Sequence, residues 1–420
     1  MPKGQLFMNA RNRSSRTTAM VFHPRRARAD RMRGMRLARA LGSLPWTALL
    51  FGALALGCSS GGAGPAGTGG SQPAGTGGNS APGSGGDSGS AGASGTGGGA
   101  TGGRAVVDGG AGQDGGRSSD GGLPDGGGND GDGRIDIQSP FKADPAQRVA
   151  AGVPRGRRVD FTMSSMGSQY YPTASGAAFT RKGAVYLPAG YAGTEVPFMV
   201  VQDGISGIGY VNTMPNALDN LINEKRIPAM AVIFIDPGPD SGERSREYDT
   251  VSDAYTKFVE GEVLPAAKAA VKSQAQLDPS LTSNPDGRGS MGGSSGGACA
   301  FTMGWFHPEL YRRIVTYSGS FTKLARSTMY PDGAAEYQEH LIAATDAKPL
   351  RVFLASGTND LNNQFGVWLD ANDAMFAALT AKGYHVRYIR ATGATHVDGG
   401  VLGQTLADTL VWVWRGYPIN

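Results

Sequence analysis

The sequence predicts an α/β fold in which helices cover both faces of a mostly parallel central sheet. Short apolar runs alternate with helical patterns along residues 139–420, as strands and helices alternate in this class. Residues 197–201 and 229–235 are apolar almost throughout, which is typical of strands buried on both faces. Because functional residues in such sheets gather at the carboxyl ends of the strands, we expect a site in the loops that follow these runs.

The individual elements follow from the same patterns in chain order. Strands are predicted at residues 159–163, 183–187, 197–201, 229–235, 313–317, 350–355 and 385–389, and helices at residues 214–224, 254–271, 365–382 and 402–415. Pro265 is expected to break the second of these helices, because proline lacks the N–H that the helix interior needs.

The first 57 residues predict an export signal. They carry a net charge of +10, and the basic stretch runs into 13 mostly apolar residues at 44–56. This order is typical of a secretory signal, and the apolar part is too short to span a bilayer. Because the basic stretch is long, Met32 or Met35 is an alternative start.

Residues 54–58 resemble a bacterial lipobox, which predicts that Cys58 is lipidated. We therefore expect an exported protein anchored by lipid to the bacterial cell envelope, at the outer membrane, with no other attachment to the membrane. The alternative is a plain secretory signal with an incidental Cys58 and a secreted protein.

Residues 58–138 predict a flexible tether that precedes a folded domain at residues 139–420. Glycine supplies 32 of the 75 residues from 59 to 133, and large apolar side chains are scarce there, so burial cannot offset the entropy of ordering. Residues 129–136 look like a fragment of a calcium loop. The first and last ligand positions lack carboxylates, which favours a solvated acidic segment over a calcium site.

Charge and composition exclude several classes of function. The whole chain is formally +4, but removal of the signal leaves −6, so nothing supports nucleic-acid binding. Histidine and cysteine are too few and too scattered for a metal cluster. Once Cys58 is assigned to lipid, Cys299 has no partner for a disulfide, and we expect it to be a small buried residue.

The most informative segment is residues 288–301, which predict a strand, a G-x-S-x-G turn and a helix. Such a turn exposes a serine hydroxyl at the end of a sheet, beside a helix N-terminus that favours negative charge. Two frames fit the pattern, with either Ser294 or Ser295 as the nucleophile. We favour Ser294, because the second glycine of the common G-x-S-x-G-G pattern then falls on Gly297.

A nucleophilic serine needs a base, and the base needs a carboxylate to orient it. Among the five histidines, only His396 is expected in a loop that follows a late strand. Asp360 follows the strand at residues 350–355 and is the predicted acid, whereas Asp370 and Asp373 are expected on the next helix. The order Ser294, Asp360, His396 is the one typical of this arrangement.

Backbone N–H groups are expected to stabilise the oxyanion, because they are fixed in place before charge develops. One is the N–H of Ser295, directly after the nucleophile. The other is expected in the loop that follows residues 197–201, near Gly204 or Ile205. Arg244, Arg246 and Glu247 are expected to form an ion pair that fixes a loop, with substrate binding as the alternative.

These segments together resemble the Putative esterase branch of the α/β-hydrolases, which includes enterochelin esterase-like proteins, S-formylglutathione hydrolases, feruloyl esterases and the antigen 85 mycolyltransferases. The similarity covers about residues 183–414, in order. Its motifs are VQDG at 201–204, ERSREYD at 243–249, FV at 258–259, EVLP at 262–265, GGSSGG at 292–297, YSGSF at 317–321, and the loops of Gly357, Asp360 and His396. Where many relatives carry His-Gly, this chain has Asp203-Gly204.

The resemblance implies an α/β-hydrolase fold with Ser294, Asp360 and His396 as catalytic triad, and Ser295 and Gly204 as backbone oxyanion donors. It implies a serine esterase that cleaves a small-molecule or carbohydrate-linked carboxylic ester through an acyl-enzyme, without a cofactor. Two alternatives remain open: a cell-surface acyltransferase that uses the same triad, and a hydrolase-fold binding protein that has lost catalysis.

Overall fold

The computed structural model describes residues 130–173 and 177–419. The predicted signal at residues 1–57, Cys58 and the tether up to residue 129 lie outside the described residues.

Eleven strands are described in these two ranges. They are β1 Gly133–Gln138, β2 Arg157–Ser164, β3 Thr180–Leu187, β4 Phe198–Gln202, β5 Ala231–Ile235, β6 Arg288–Gly293, β7 Arg313–Tyr317, β8 Arg351–Gly357, β9 Asn362–Asn363, β10 Gly366–Val367 and β11 His385–Thr392. Each strand predicted from the sequence is present within a few residues of its expected bounds.

The helices in the same ranges are α1 Met214–Asn223, α2 Ser241–Tyr248, α3 Ala254–Phe258, α4 Leu264–Ala275, α5 Ser295–Phe306, α6 Ile342–Ala344, α7 Trp368–Ala381 and α8 Gly399–Val413. Helix α2 was not predicted from the sequence, because it is highly polar; it begins where the side chain of Asp240 accepts a hydrogen bond from the N–H of Glu243. Within residues 130–173 and 177–419, none of the helices has both the length and the apolar character needed to cross a bilayer.

Pro265 follows a π-helical turn and does not break the helical backbone. The turn spans Val259–Val263, between α3 and α4, and Pro265 lies in the first turn of α4. A first-turn proline is tolerated because its missing N–H has no partner inside the helix there. The predicted break is therefore a wide turn, and helical backbone continues from α3 to the end of α4.

Nine strands form one central sheet in the order β1-β11-β8-β7-β6-β4-β5-β3-β2. In this sheet order, the seven strands from β1 at one edge through β5 are parallel to one another. Strand β3 pairs antiparallel with both β5 and β2. The predicted α/β class with a mostly parallel sheet is confirmed, and the carboxyl ends of β4, β6, β7, β8 and β11 meet along one edge.

Side chains alternate between the two faces of this sheet. In β5, Val232 and Phe234 pack with α1 and α8, while Ala231, Ile233 and Ile235 pack with α3 and α4. In β8, Phe353 and Ala355 face the α1 and α8 side, and Val352 and Leu354 face the side of α5 and α7. Since both faces are covered, strands without polar alternation are the expected outcome.

The edge strand β1 corrects the predicted domain boundary at residue 139. Gly133–Gln138 pairs in parallel with β11, with Ile135 opposite Ile389. The glycine-rich composition concealed this strand, whose side chains are mostly exposed. The folded domain therefore includes residues that the sequence analysis placed in the tether.

Ion pairs fix the residues that lead into β1. Asp130 pairs with Arg351 and Arg415, and Asp132 accepts a hydrogen bond from Trp412 Nε1 at 3.2 Å and lies 2.8 Å from His385 Nδ1. The Arg351 side chain is 1% exposed and that of Asp130 is 8% exposed. The acidic segment at residues 130–132 is thus docked on the domain, contrary to the prediction of a solvated segment.

Replacement of Asp130 by asparagine is expected to lower the free energy of unfolding at neutral pH by about 3 kcal/mol, because it leaves the buried Arg351 guanidinium without its main counter-charge. Burial raises the pKa of the Asp130 carboxyl, but Arg351 and Arg415 outweigh burial and hold it below its usual value. A carboxyl with a lowered pKa stabilises the fold above its ordinary pKa, and this contribution is lost as the pH falls further. The deficit of Asp130→Asn should therefore shrink in acid.

Urea unfolding of the full chain at pH 7 and at about pH 3 measures this difference, since the contribution is lost only below the ordinary carboxyl pKa. Asp136→Asn is the matched control, because Asp136 pairs with Arg134 on the solvent side of β1, and it should leave stability nearly unchanged. Equal stability of Asp130→Asn and Asp136→Asn at pH 7 would contradict the role given to Asp130.

Candidate active site

Ser294 occupies a sharp turn between β6 and α5. Its φ of 57° and ψ of −128° lie outside the regions that residues other than glycine usually adopt. The N–H of Ser294 donates to the carbonyl of Tyr317 at 2.9 Å, and its carbonyl accepts from the N–H of Ser320 at 3.0 Å. The strained backbone is therefore held from both sides by the loop that follows β7.

Close contacts around Ser294 leave little or no room for side chains at the neighbouring glycines. A Cβ at Gly292 would lie 2.3 Å from the backbone of Gly296, too close for any side chain. A Cβ at Gly296 would lie 3.0 Å from the Asp203 carboxylate. This tight turn places Ser294 at its apex, whereas Ser295 is the first residue of α5 and is buried.

The predicted acid and base form a direct contact. His396 Nδ1 lies 2.6 Å from Asp360 Oδ1, and the Asp360 side chain is fully buried. Asp360 also accepts hydrogen bonds from Ser356 Oγ at 2.9 Å and from the N–H of Leu361 at 2.7 Å. Burial raises the pKa of the Asp360 carboxyl, but His396, the Ser318 hydroxyl and the N–H of Leu361 outweigh burial and hold it below its usual value.

The loop after β7 connects the serine turn to the histidine loop. Ser320 Oγ lies 3.4 Å from Ser294 Oγ and accepts a hydrogen bond from Trp368 Nε1 at 3.0 Å. The Trp368 ring packs edge-on against His396, and Ser318 Oγ accepts the N–H of Val397 at 3.0 Å. No role was predicted from the sequence for Ser318, Ser320 or Trp368, although residues 317–321 were part of the resemblance.

Ser294 and His396 are brought to the same edge of the sheet without a direct hydrogen bond between them in the described part of the chain. The residues next to them in sequence lie close together, since a Cβ placed on Gly293 would be 2.9 Å from Val397 Cγ1. The Ser294 hydroxyl contacts Ser320 instead. Catalytic hydrogen bonds are often long or absent in unliganded sites and form when substrate binds.

The structure does not present the N–H of Gly204 as a free oxyanion donor. That N–H donates to the carbonyl of Ile235 at 3.3 Å, and the N–H of Ile205, the alternative, donates to Asp236 at 2.8 Å. The prediction for Gly204 is therefore wrong in this conformation, because the loop after β4 turns its amides toward β5. Ser295, by contrast, begins α5, where an N–H has no partner inside the helix.

Asp203 and Arg244 form an ion pair next to the serine turn. Arg244 donates to both carboxylate oxygens of Asp203, at 3.0 and 2.7 Å, and to Ser295 Oγ at 3.0 Å. Nearby, Arg181 and Glu247 form a fully buried pair, and Arg246 pairs with Glu243. Arg244, Arg246 and Glu247 are all in ion pairs, but each pairs with a residue outside this set rather than with another member of it. Arg244 also reaches the active-site turn.

An open pocket of about 560 Å³ lies beside this ion pair. Its walls include Lys182, Asp203, Ser206, Asp236, Pro237 and Arg244. The Arg244 side chain is 30% exposed toward solvent while Asp203 is buried. Small solutes can therefore reach the Arg244 guanidinium from solvent through this pocket.

One group of potential metal ligands occurs in the described ranges, away from the serine turn. Asp130, Asp132 and His385 bring ligand atoms within 4.8 Å of one another. Arg351 and Arg415 are already paired with Asp130, and two neighbouring cations oppose the binding of a third. Residues 133–138 form a strand, so the fragment resembling a calcium loop does not adopt that loop.

Comparison with solved structures finds esterases of limited similarity. The ferric enterobactin esterase of Salmonella typhimurium is 21% identical, with a TM-score of 0.49 over 65% of this chain and 62% of that chain. The ferulic acid esterase AmCE1/Fae1A of the anaerobic fungus Anaeromyces mucronatus is 16% identical, with a TM-score of 0.49 over 66% and 96%. An enterobactin esterase from Shigella flexneri is 20% identical, with a TM-score of 0.46 over 64% and 61%.

The chain thus spans about three fifths of the length of the enterobactin esterases that it matches. None of the curated proteins matches it significantly. A family model described as "Putative esterase" matches residues 178–395, which is more than half of the chain and includes Ser294, Asp360 and the strands that carry them. With the sheet topology described above, this match shows that the chain belongs to the Putative esterase family and has the α/β-hydrolase fold.

Proposed function

We propose that the protein is a serine esterase that hydrolyses carboxylic esters through an acyl-enzyme, with Ser294 as nucleophile, His396 as base and Asp360 as the acid that orients it. The observation that carries the proposal is the 2.6 Å contact between His396 and the buried Asp360, at the same sheet edge as the left-handed turn of Ser294. Membership of the esterase family supports it independently.

The reaction begins when Ser294 Oγ attacks the ester carbonyl carbon and transfers its proton to His396 Nε2. Because Nδ1 of His396 faces Asp360, Nε2 is the nitrogen left for this transfer. The hydroxyl first turns from Ser320 toward His396. His396 then protonates the departing alcohol. In the second half, His396 deprotonates a water molecule that attacks the acyl carbon, the bond to Ser294 Oγ breaks, and His396 returns the proton to Oγ as the acid leaves.

The developing oxyanion is stabilised by the N–H of Ser295 and by the N-terminus of α5. Asp360 stabilises the imidazolium that forms in each half of the reaction. It remains a carboxylate, since its pKa lies below the usual value.

Substitution of Ser294 by alanine is expected to reduce kcat/KM for p-nitrophenyl acetate or butyrate by about 10³-fold or more, because the nucleophile is lost. Ser295→Ala is the matched variant one residue away. It keeps the backbone N–H that binds the oxyanion but loses the hydroxyl that Arg244 contacts, so it should lose only about tenfold. The measurement is steady-state kinetics on both variants and the wild type, with thermal unfolding as a control of folding.

A large loss in Ser295→Ala together with an active Ser294→Ala would assign the nucleophile to Ser295 and contradict the proposed frame. A folded wild type that hydrolyses neither ester and does not react with a fluorophosphonate would contradict the esterase.

We also propose that the mature protein is exported and carries a lipid on Cys58. The support is the basic signal at residues 1–57 and the lipobox-like residues 54–58, and export would place the ester substrate outside the cytoplasm. A bacterium that makes the protein should yield a form that partitions into the detergent phase of Triton X-114, and Cys58→Ser should move it to the aqueous phase.

Cys299→Ser is the control for that experiment, because Cys299 is buried in the core of the domain and should not affect partitioning. Wild-type protein found in the aqueous phase would contradict lipidation.

A further inference from the structure

One arginine links the two segments that border the predicted oxyanion site. Arg244 lies in the middle of α2, and its three guanidinium nitrogens all have partners. Nε and Nη2 bind the two oxygens of Asp203 in a bidentate pair, while Nη1 donates to Ser295 Oγ. The planar guanidinium fixes these directions relative to one another.

Each partner of Arg244 is adjacent to a strained or reactive position. Asp203 begins the loop after β4 and has a left-handed φ of 53°, a conformation that costs of order 1 kcal/mol or more for a residue other than glycine. Ser295 directly follows Ser294, whose φ is positive like that of Asp203. A bidentate pair on one side and a hydrogen bond on the other therefore fix both segments to α2.

Arg244 also balances negative charge behind the site. The Asp203 side chain is 4% exposed, and Asp249 is a second buried acid near Arg244 and Ser295, whose pKa is raised by burial. Without the guanidinium, Asp203 would be an unpaired buried carboxylate next to Gly296 in the first turn of α5. Such a charge would oppose the negative charge that develops on a substrate oxygen there.

The N–H groups of Gly204 and Ile205 already donate to Ile235 and Asp236. Stabilisation of the oxyanion therefore depends more strongly on the position of the Ser295 N–H. We propose that Arg244 is a positioning residue of the esterase reaction, which holds Ser295 and the Asp203 loop in the geometry that stabilises the oxyanion. This inference rests on the proposed function.

The inference predicts that Arg244→Ala lowers kcat for p-nitrophenyl acetate by about 100-fold, while KM changes by less than about threefold, because the interaction acts on the oxyanion of the transition state. Arg244→Lys keeps the charge without the bidentate geometry and should lie between the wild type and Arg244→Ala. Arg246→Ala is the matched control, since Arg246 lies on the same helix but pairs with Glu243 and the Pro172 carbonyl, and it should keep near wild-type kcat.

Guanidinium chloride at millimolar concentration provides a second readout that a merely structural role would not move. Arg244 lines the open pocket, so free guanidinium can enter the space that Arg244→Ala leaves. Added guanidinium should raise the kcat of Arg244→Ala at least about tenfold. It should have no effect on the kcat of the wild type, Arg246→Ala or Ser294→Ala.

Equal kcat values for Arg244→Ala and Arg246→Ala would overturn the inference while leaving the esterase intact. A loss in Arg244→Ala that guanidinium does not restore, with Arg244→Lys equally impaired, would also overturn it and assign Arg244 to folding. An inactive wild type would overturn the proposed function and this inference together.

Discussion

The left-handed turn at Ser294 is the constraint on which the rest of the site depends. A non-glycine residue at φ 57° is stable only when its surroundings fix it. Here the Ser294 N–H donates to the carbonyl of Tyr317 at the end of β7, and the Ser294 carbonyl accepts from the N–H of Ser320 in the loop that follows. Gly292 must be glycine because the helix that leaves the turn passes against its Cα. Asp203, Ser318 and Val397 also have positive φ, and all three lie around the same edge of the sheet.

The parallel sheet explains why these positions meet. β4, β6, β7, β8 and β11 are neighbours or near neighbours in one sheet, so the residues that follow them converge although they are far apart in sequence. Asp203 follows β4, Ser294 follows β6, Ser318 follows β7, Asp360 follows β8 and His396 follows β11. Burial on both faces makes the strands rigid, and short loops then limit how far each side chain can move.

The sequence predicted the central strands and the Asp360–His396 contact because both depend on local pattern and chain order. It did not predict β1, since a strand with mostly exposed side chains inside a glycine-rich segment has no apolar signal. The position of β1 depends on its pairing with β11 and on contacts such as the Asp130–Arg351 pair, whose residues are 221 apart in sequence. The commitment of the Gly204 N–H to Ile235 and the contact of Arg244 with Ser295 are likewise tertiary contacts. Residue type alone indicated that Arg244 would be paired, but not with which residues.

The most direct test of the central claim is the site of covalent modification by a fluorophosphonate, located by tandem mass spectrometry of the peptide that contains Ser294 and Ser295. A serine hydrolase with the proposed arrangement gives a single adduct on Ser294, and His396→Ala slows its formation strongly while the fold is kept. An adduct on Ser295, or a folded protein that forms no adduct, would contradict the assignment of Ser294 as nucleophile.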